Sequence, residues 1–175
     1  MSSVTDEITM LRDEIATMRD QLRLLSDRAE IGDLLDRYII SVDGLDEVRF
    51  DAAWARSIFT DGVVLEFPPG NHEGMEGIGE FHAEVMNRFE KTWHLSSNHL
   101  IEVHGDRATV RMTLTATHVH LARTRLQRGD DSPFVVGDYF NGEVVRTPEG
   151  WRIRRMKLNV VWTLGKPPVG VDVEA

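Results

Sequence analysis

The sequence predicts an α+β domain, because apolar residues recur at helical spacing through its first half and alternate with polar ones through its second. From residue 93 onward the chain reads as four strands, 93–104, 107–122, 134–146 and 151–163. The turns Gly105-Asp106 and Thr147-Pro148-Glu149-Gly150 separate two pairs of them. Helices followed by a meander imply an antiparallel sheet with helices on one face, rather than alternating βαβ units.

Ile8, Leu11, Ile15, Met18, Leu22 and Leu25 are spaced three, four, three, four, three, with charged residues between them, which is a heptad seam. Residues 1–26 are therefore read as a helix whose stripe must pack on another chain or back on its own domain. Asp27 with Glu30 suggests a capping box that restarts a helix carrying Ile31, Leu34, Leu35, Tyr38, Ile39 and Val42 on one side and ending near Asp43-Gly44. A second segment, 46–59, offers Val48, Trp54 and Ile58 to the core. Residues 63–67 form a short strand, broken by Pro68-Pro69-Gly70-Asn71. After Gly77, the positions Ile78, Phe81, Val85, Met86 and Phe89 give a third core helix. The segment 123–133 is read as a loop between strands, and 166–175 as a tail following a domain of residues 27–165.

Composition narrows the function. A net charge of −9 and a pI near 5.2 disfavour nucleic acid and anionic membranes, whose binding needs a basic surface. The basic run Arg152, Arg154, Arg155 and Lys157 reads better as the solvated face of a strand than as an anion site. Without cysteine there is neither a disulfide framework nor a thiolate nucleophile. The acidic N-terminus does not resemble a signal peptide and no stretch is apolar enough to span a bilayer, so a cytoplasmic protein is expected.

Few polar residues sit awkwardly enough to suggest chemistry. Asp43 ends a helix whose other face is strongly apolar, yet taken alone it reads first as a solvent-exposed turn aspartate in Asp-Gly. Alternation puts His94, Ser96 and Asn98 on one strand face, and a tight turn at Gly105-Asp106 would set them opposite Thr117, Thr115 and Thr113. That stripe is either a polar pocket wall or a solvated surface. His118 and His120 share a face with Met112, Leu114 and Ala116, but no third metal ligand stands at a suitable spacing, so no metal site is expected. The run Gly74 to Gly79 lacks the glycine spacing of a dinucleotide turn, and no serine sits in a nucleophile elbow.

Together, the segment from Asp27 through Tyr38 to Asp43-Gly44, then His94 and Asn98, then Gly137 to Asn141 leading into Glu149-Gly150-Trp151, resembles the SnoaL-like, scytalone-dehydratase-like family of the nuclear transport factor 2-like superfamily, over roughly residues 27–163. The pattern is similar to the bile-acid 7α-dehydratase and lindane dehydrochlorinase types within it. The resemblance implies a cone-shaped α+β barrel with helices packed on a curved sheet. It also implies that Asp43 hydrogen-bonds His94, the residue that takes a proton from substrate, and that Tyr38 polarises the substrate or protonates the leaving group.

A histidine held by a carboxylate suits proton abstraction near neutral pH, since the carboxylate fixes the tautomer and stabilises the imidazolium. Trp54, Phe67, Met86, Phe89 and Trp162 are the expected apolar pocket residues, with Ser96, Asn98, Tyr139 and Asn141 as candidates for binding substrate oxygens. A β-bulge would decide whether the Tyr139/Asn141 face or the Asp138/Phe140 face points inward. The expected function is a cofactor-independent lyase acting on a small hydrophobic cyclic substrate. Alternatives are a polyketide cyclase or ketosteroid-type isomerase using the same base, or a non-catalytic binding module. A homo-oligomer, dimer or trimer, is expected from the seam and from a sheet face carrying Trp93, Leu95, Ile101, Val110, Met112 and Leu114.

Overall fold

One uninterrupted helix, α1 (Val4–Asp43), runs through the point at which the sequence reading restarts a helix. Its start is capped instead by Ser3, whose hydroxyl accepts from the Asp6 amide while the Asp6 carboxylate accepts from the Ser3 amide. Asp27 caps nothing. Its buried carboxylate accepts from the Arg146 guanidinium at 2.6 Å and from the Trp151 indole at 3.4 Å, pinning the middle of α1 to the sheet. Beyond Asp27 the helix buries Ile31, Leu34, Leu35, Tyr38, Ile39 and Val42. At about 1.5–3 kcal/mol per buried side chain these hold the C-terminal half, from which the exposed N-terminal half propagates.

The computed structural model describes residues 3–44, 50–68 and 70–168. Val48 and the rest of 46–49 lie outside them, and the second helix is the shorter α2 (Ala52–Ile58), started by Asp51, whose carboxylate accepts from the amides of Ala53 and Trp54. Then follow β1 (Phe59–Phe67), β2 (Gly70–Glu73), α3 (Ile78–Met86), β3 (Phe89–His104), β4 (Arg107–His120), α4 (Ala122–Arg128), β5 (Phe134–Thr147) and β6 (Gly150–Leu164). The 123–133 segment thus holds a short helix where a loop is expected.

The six strands form one open sheet in the order β2-β1-β6-β5-β4-β3. All neighbours are antiparallel except β1 and β6, where the last strand inserts beside the first long one. This is the expected α+β layout, four helices on a curved, unclosed sheet. The inner faces of the strands supply Leu65, Met112, Phe140, Ile153 and Met156, which are essentially inaccessible to solvent and meet the apolar side of α1.

Bulges on β3 and β6 help decide which residues face inward. On β3, Asn98 and His99 together oppose Met112, because the register moves by one residue between Ser97↔Thr113 and Leu100↔Arg111. On β6, Val161 is extra between Trp162↔Gly137 and Val160↔Asp138. Arg154 is extra between Arg155↔Glu143 and Ile153↔Val144, which leaves the basic run solvated, with Arg155 paired to Glu66 and Arg154 to Glu143.

The proposed association face needs correcting. Ile101, Val110, Met112 and Leu114 are buried under the helices, whereas Trp93 and Leu95 are exposed on the opposite face, where register also places Thr113, Thr115 and Thr117. The start of the expected tail is tied down: the Lys166 carbonyl accepts from His120 Nε2 at 2.9 Å and the Pro167 carbonyl from Arg128 at 3.0 Å. Among the described residues no helix is long and apolar enough to cross a membrane.

Candidate active site

The last turn of α1 and the first half of β3 meet at Asp43 and His94. Oδ1 of Asp43 lies 2.6 Å from His94 Nδ1, and its Oδ2 accepts the His94 backbone N–H at 2.7 Å. The Thr92 hydroxyl, also 3.2 Å from the Val42 carbonyl, donates to Oδ1 at 3.0 Å. Burial alone would push the Asp43 carboxyl up; the ring and amide hydrogen bonds of His94 and the Thr92 hydroxyl outweigh that and hold it below the ordinary carboxylate range. An ionised Asp43 can only accept, so the proton between the two residues sits on Nδ1 of His94. Nε2 is then the nitrogen left to act as a base.

His94 reaches this place through the β3 bulge. Counted back from the Gly105-Asp106 turn without a bulge, it would pair with Thr117 on the outer face. The extra residue pairs it with Ala116 instead, on the inner face shared by Leu114 and His118. The predicted threonine stripe is therefore not part of the site.

His94 lines a cavity of ≈ 130 Å³ between the helices and the sheet. Its wall is chiefly apolar, and Phe67, Met86 and Phe89 belong to it as expected, along with Tyr38. Trp54 stands behind the wall, its ring centroid 4.9 Å from that of His82. Ser96 shares the inner face of β3, opposite Leu114, but is not among the cavity residues, and Asn98 is exposed at the bulge with φ 54°. Tyr139 and Asn141 pair with Thr113 and Arg111 on the outer face, where the Arg111 guanidinium lies 4.3 Å from the centre of the Tyr139 ring. The bulge at Val161 likewise turns Trp162 outward over Gly137 and leaves Val160 in the wall.

Four further polar residues stand in the wall and are not among the expected site residues: His82, Arg88, His118 and Asp138. Asp138 is buried between Leu114 and Val160, and its Oδ1 has no hydrogen-bond partner among the described residues. Burial pushes this carboxyl up to about 7, which keeps it largely protonated below neutral pH. His118 donates Nδ1–H to the Phe134 carbonyl at 3.2 Å, leaving Nε2 unprotonated, and burial lowers it to about 4. His82 donates Nδ1–H to the Ile78 carbonyl at 2.8 Å, and burial lowers it to about 4 as well. Because Nε2 of His82 is then an acceptor, the Tyr38 hydroxyl 3.2 Å away must donate to it. Tyr38 therefore turns lone pairs, not its proton, towards the cavity, and burial raises its phenol well above its ordinary value. Pro168 closes part of the wall. Sequence alone signals only His118, through its inner-face alternation with Met112 and Leu114. Asp138 lies on the face that sequence left undecided, and β5 turns it inward with Phe134, Val136 and Phe140 in unbroken pairing with β4.

The profile of the SnoaL-like domain matches residues 23–157. The chain belongs to that family. An uncharacterized protein of Mycobacterium tuberculosis is 30% identical to this SnoaL-like chain over 135 residues, covering 75% of it and 83% of the relative. The fold is similar to that of hexachlorocyclohexane dehydrochlorinase type 3 from Novosphingobium barchaimii, with a TM-score of 0.68 at 19% identity over 89% of this chain and 99% of that one. A proposed scytalone dehydratase from Novosphingobium aromaticivorans gives a TM-score of 0.68 at 17% identity, over 85% and 97%.

Proposed function

We propose that this SnoaL-like protein is a cofactor-independent lyase that eliminates water or another β-leaving group from a small, mostly apolar cyclic substrate. The observation that carries the reading is the Asp43–His94 pair set in the wall of an apolar cavity that also holds the unpartnered carboxyl of Asp138. His94 Nε2 takes a proton from the carbon beside an activating group, and Asp43 stabilises the imidazolium that forms. The C–H electron pair becomes the new double bond, and the bond to the leaving group breaks with its pair. The neutral Asp138 carboxyl protonates the departing oxygen, and transfer of the imidazolium proton to Asp138 resets the site. Asp138 rather than Tyr38 takes the acid role because the Tyr38 proton is committed to His82; Tyr38 Oη accepts a hydrogen bond from a substrate hydroxyl.

The cavity, ≈ 130 Å³, is comparable with the roughly 150 Å³ buried cavity that takes up benzene, which points to a substrate of about one ring. The dehydrochlorinase and dehydratase neighbours support elimination as the outcome of proton removal. The test is a panel of monocyclic β-hydroxy ketones and polychlorinated cyclohexanes, with products identified by mass spectrometry. Loss of water or HCl by the native protein and none by His94→Ala of unchanged circular dichroism is the expected result. Turnover retained without His94, or a product isomeric with substrate, would overturn the reading.

A further inference from the structure

We infer that residues 4–25 of α1 form a parallel, in-register, two-stranded coiled coil with a second copy of this chain. Ile8, Leu11, Ile15, Met18, Leu22 and Leu25 form the heptad seam, and each is 46–64% exposed. The described residues of their own domain do not cover them. At about 100° per residue, Leu22 points about 180° away from Ile31 and Leu25 about 180° from Leu34, the residues that bury α1 against the sheet. Because α1 is continuous, the seam faces away from the barrel along its whole length, and no fold-back covers it without breaking the helix. The same geometry leaves room for a partner, since the two barrels of a dimer lie on the far sides of the coil.

The residues also choose the partner and its direction. The a positions are Ile8, Ile15 and Leu22 and the d positions Leu11, Met18 and Leu25; β-branched residues at a with leucine at d favour two strands. The flanking g positions are Glu7, Glu14 and Gln21, and the e positions Arg12, Arg19 and Ser26. In a parallel pair each g residue meets the e residue five positions later on the other helix, so Glu7 meets Arg12 and Glu14 meets Arg19, each twice by symmetry. In an antiparallel pair g meets g and e meets e, setting Glu against Glu and Arg against Arg. The charge pattern is complementary to itself in one orientation only.

Sedimentation velocity on the full-length protein tests this. The native chain is expected to dimerise with concentration. Arg12→Glu/Arg19→Glu turns four attractions into four repulsions and should weaken association roughly 10- to 100-fold. Glu7→Arg/Glu14→Arg should do the same, and mixing the two variants should restore association as a heterodimer. The chain has no cysteine, so Leu11→Cys and Leu25→Cys can each be oxidised alone, and each should give a same-site disulfide dimer. Near-ultraviolet circular dichroism, which reports on the barrel, should be unchanged in every variant. A native monomer at tens of micromolar, association indifferent to the charge reversals, no rescue on mixing, or cross-linking only between Leu11→Cys and Leu22→Cys would each overturn the inference.

Discussion

Asp43 binds both N–H groups of His94: Oδ1 takes the ring Nδ1–H at 2.6 Å and Oδ2 the backbone N–H at 2.7 Å. The carboxylate therefore sets the tautomer of the ring and also its place on β3. Asp43→Asn can keep one of these contacts but offers an amide donor that no longer enforces Nδ1 protonation. The expected result is a loss of kcat of about 10³- to 10⁴-fold, with KM changed little and thermal stability close to native. A kcat within tenfold of native would mean that Asp43 is structural only.

Asp138 makes stability and activity depend on pH in the same window. Its folded value, near 7, lies above that of an unfolded aspartate, so the folded state holds a proton that the unfolded chain releases. Its contribution is complete below about 4 and is lost as pH rises to about 7, on the order of 4 kcal/mol. Asp138→Asn removes that dependence and should raise Tm more at pH 8 than at pH 5. In the same variant turnover should fall at pH 6, since an amide donates a hydrogen bond but no proton. A Tm difference independent of pH would contradict the neutral carboxyl.

His82 and His118 act with the opposite sign. Both lie near 4 when folded, below an unfolded histidine, so the unfolded chain takes up protons that the folded one refuses. Their stabilisation is present above about 6.5 and is lost as pH falls towards 4. His118→Gln should flatten the acid limb of a stability profile between those limits. An unchanged limb would show that His118 is not held neutral.

The Tyr38–His82 contact predicts a specificity effect. Tyr38→Phe leaves Nε2 of His82 buried without a donor, at a cost of about 1–3 kcal/mol in stability. It also removes the acceptor facing the cavity. For a substrate hydroxyl that donates to Tyr38 Oη, KM should rise about tenfold in the variant, and the O-methyl ether of that substrate should show the same KM with either protein. A methyl ether bound better by native protein than by Tyr38→Phe would refute the acceptor role.

The strands and the inner stripe of α1 were legible because apolar periodicity reports burial directly: Ile31, Leu34, Leu35, Met112 and Phe140 are where the period puts them. The contact between Asp43 and His94 is one that only the resemblance implied, since neither residue stands out alone. Alternation gave the correct face for His94 relative to Ser96 and the wrong partners across the strand, since the bulge at Asn98-His99 leaves no apolar signature. The same kind of defect at Val161 hid Trp162 on the outer face, whereas β5 pairs with β4 without a break and turns Tyr139 and Asn141 outward. Asp27 read as a cap because Asp-x-x-Glu is a local pattern, whereas its partner Arg146 is 119 residues away.

The β6 bulge is itself open to test. Gly137 faces Trp162, and a methyl group on Gly137 would lie 2.1 Å from the indole, far inside van der Waals contact. Gly137→Ala must therefore displace the ring or open the strand pair, with an expected destabilisation of about 1–3 kcal/mol. Trp162→Ala alone removes a ring that is 46% exposed and outside the cavity, so KM should not move. In the double variant the collision is gone, and the cost of Gly137→Ala should shrink by at least about 1 kcal/mol, a coupling that denaturant unfolding of the four proteins measures. Additive costs, or a KM that rises with Trp162→Ala, would put Trp162 back in the pocket and the bulge elsewhere on β6.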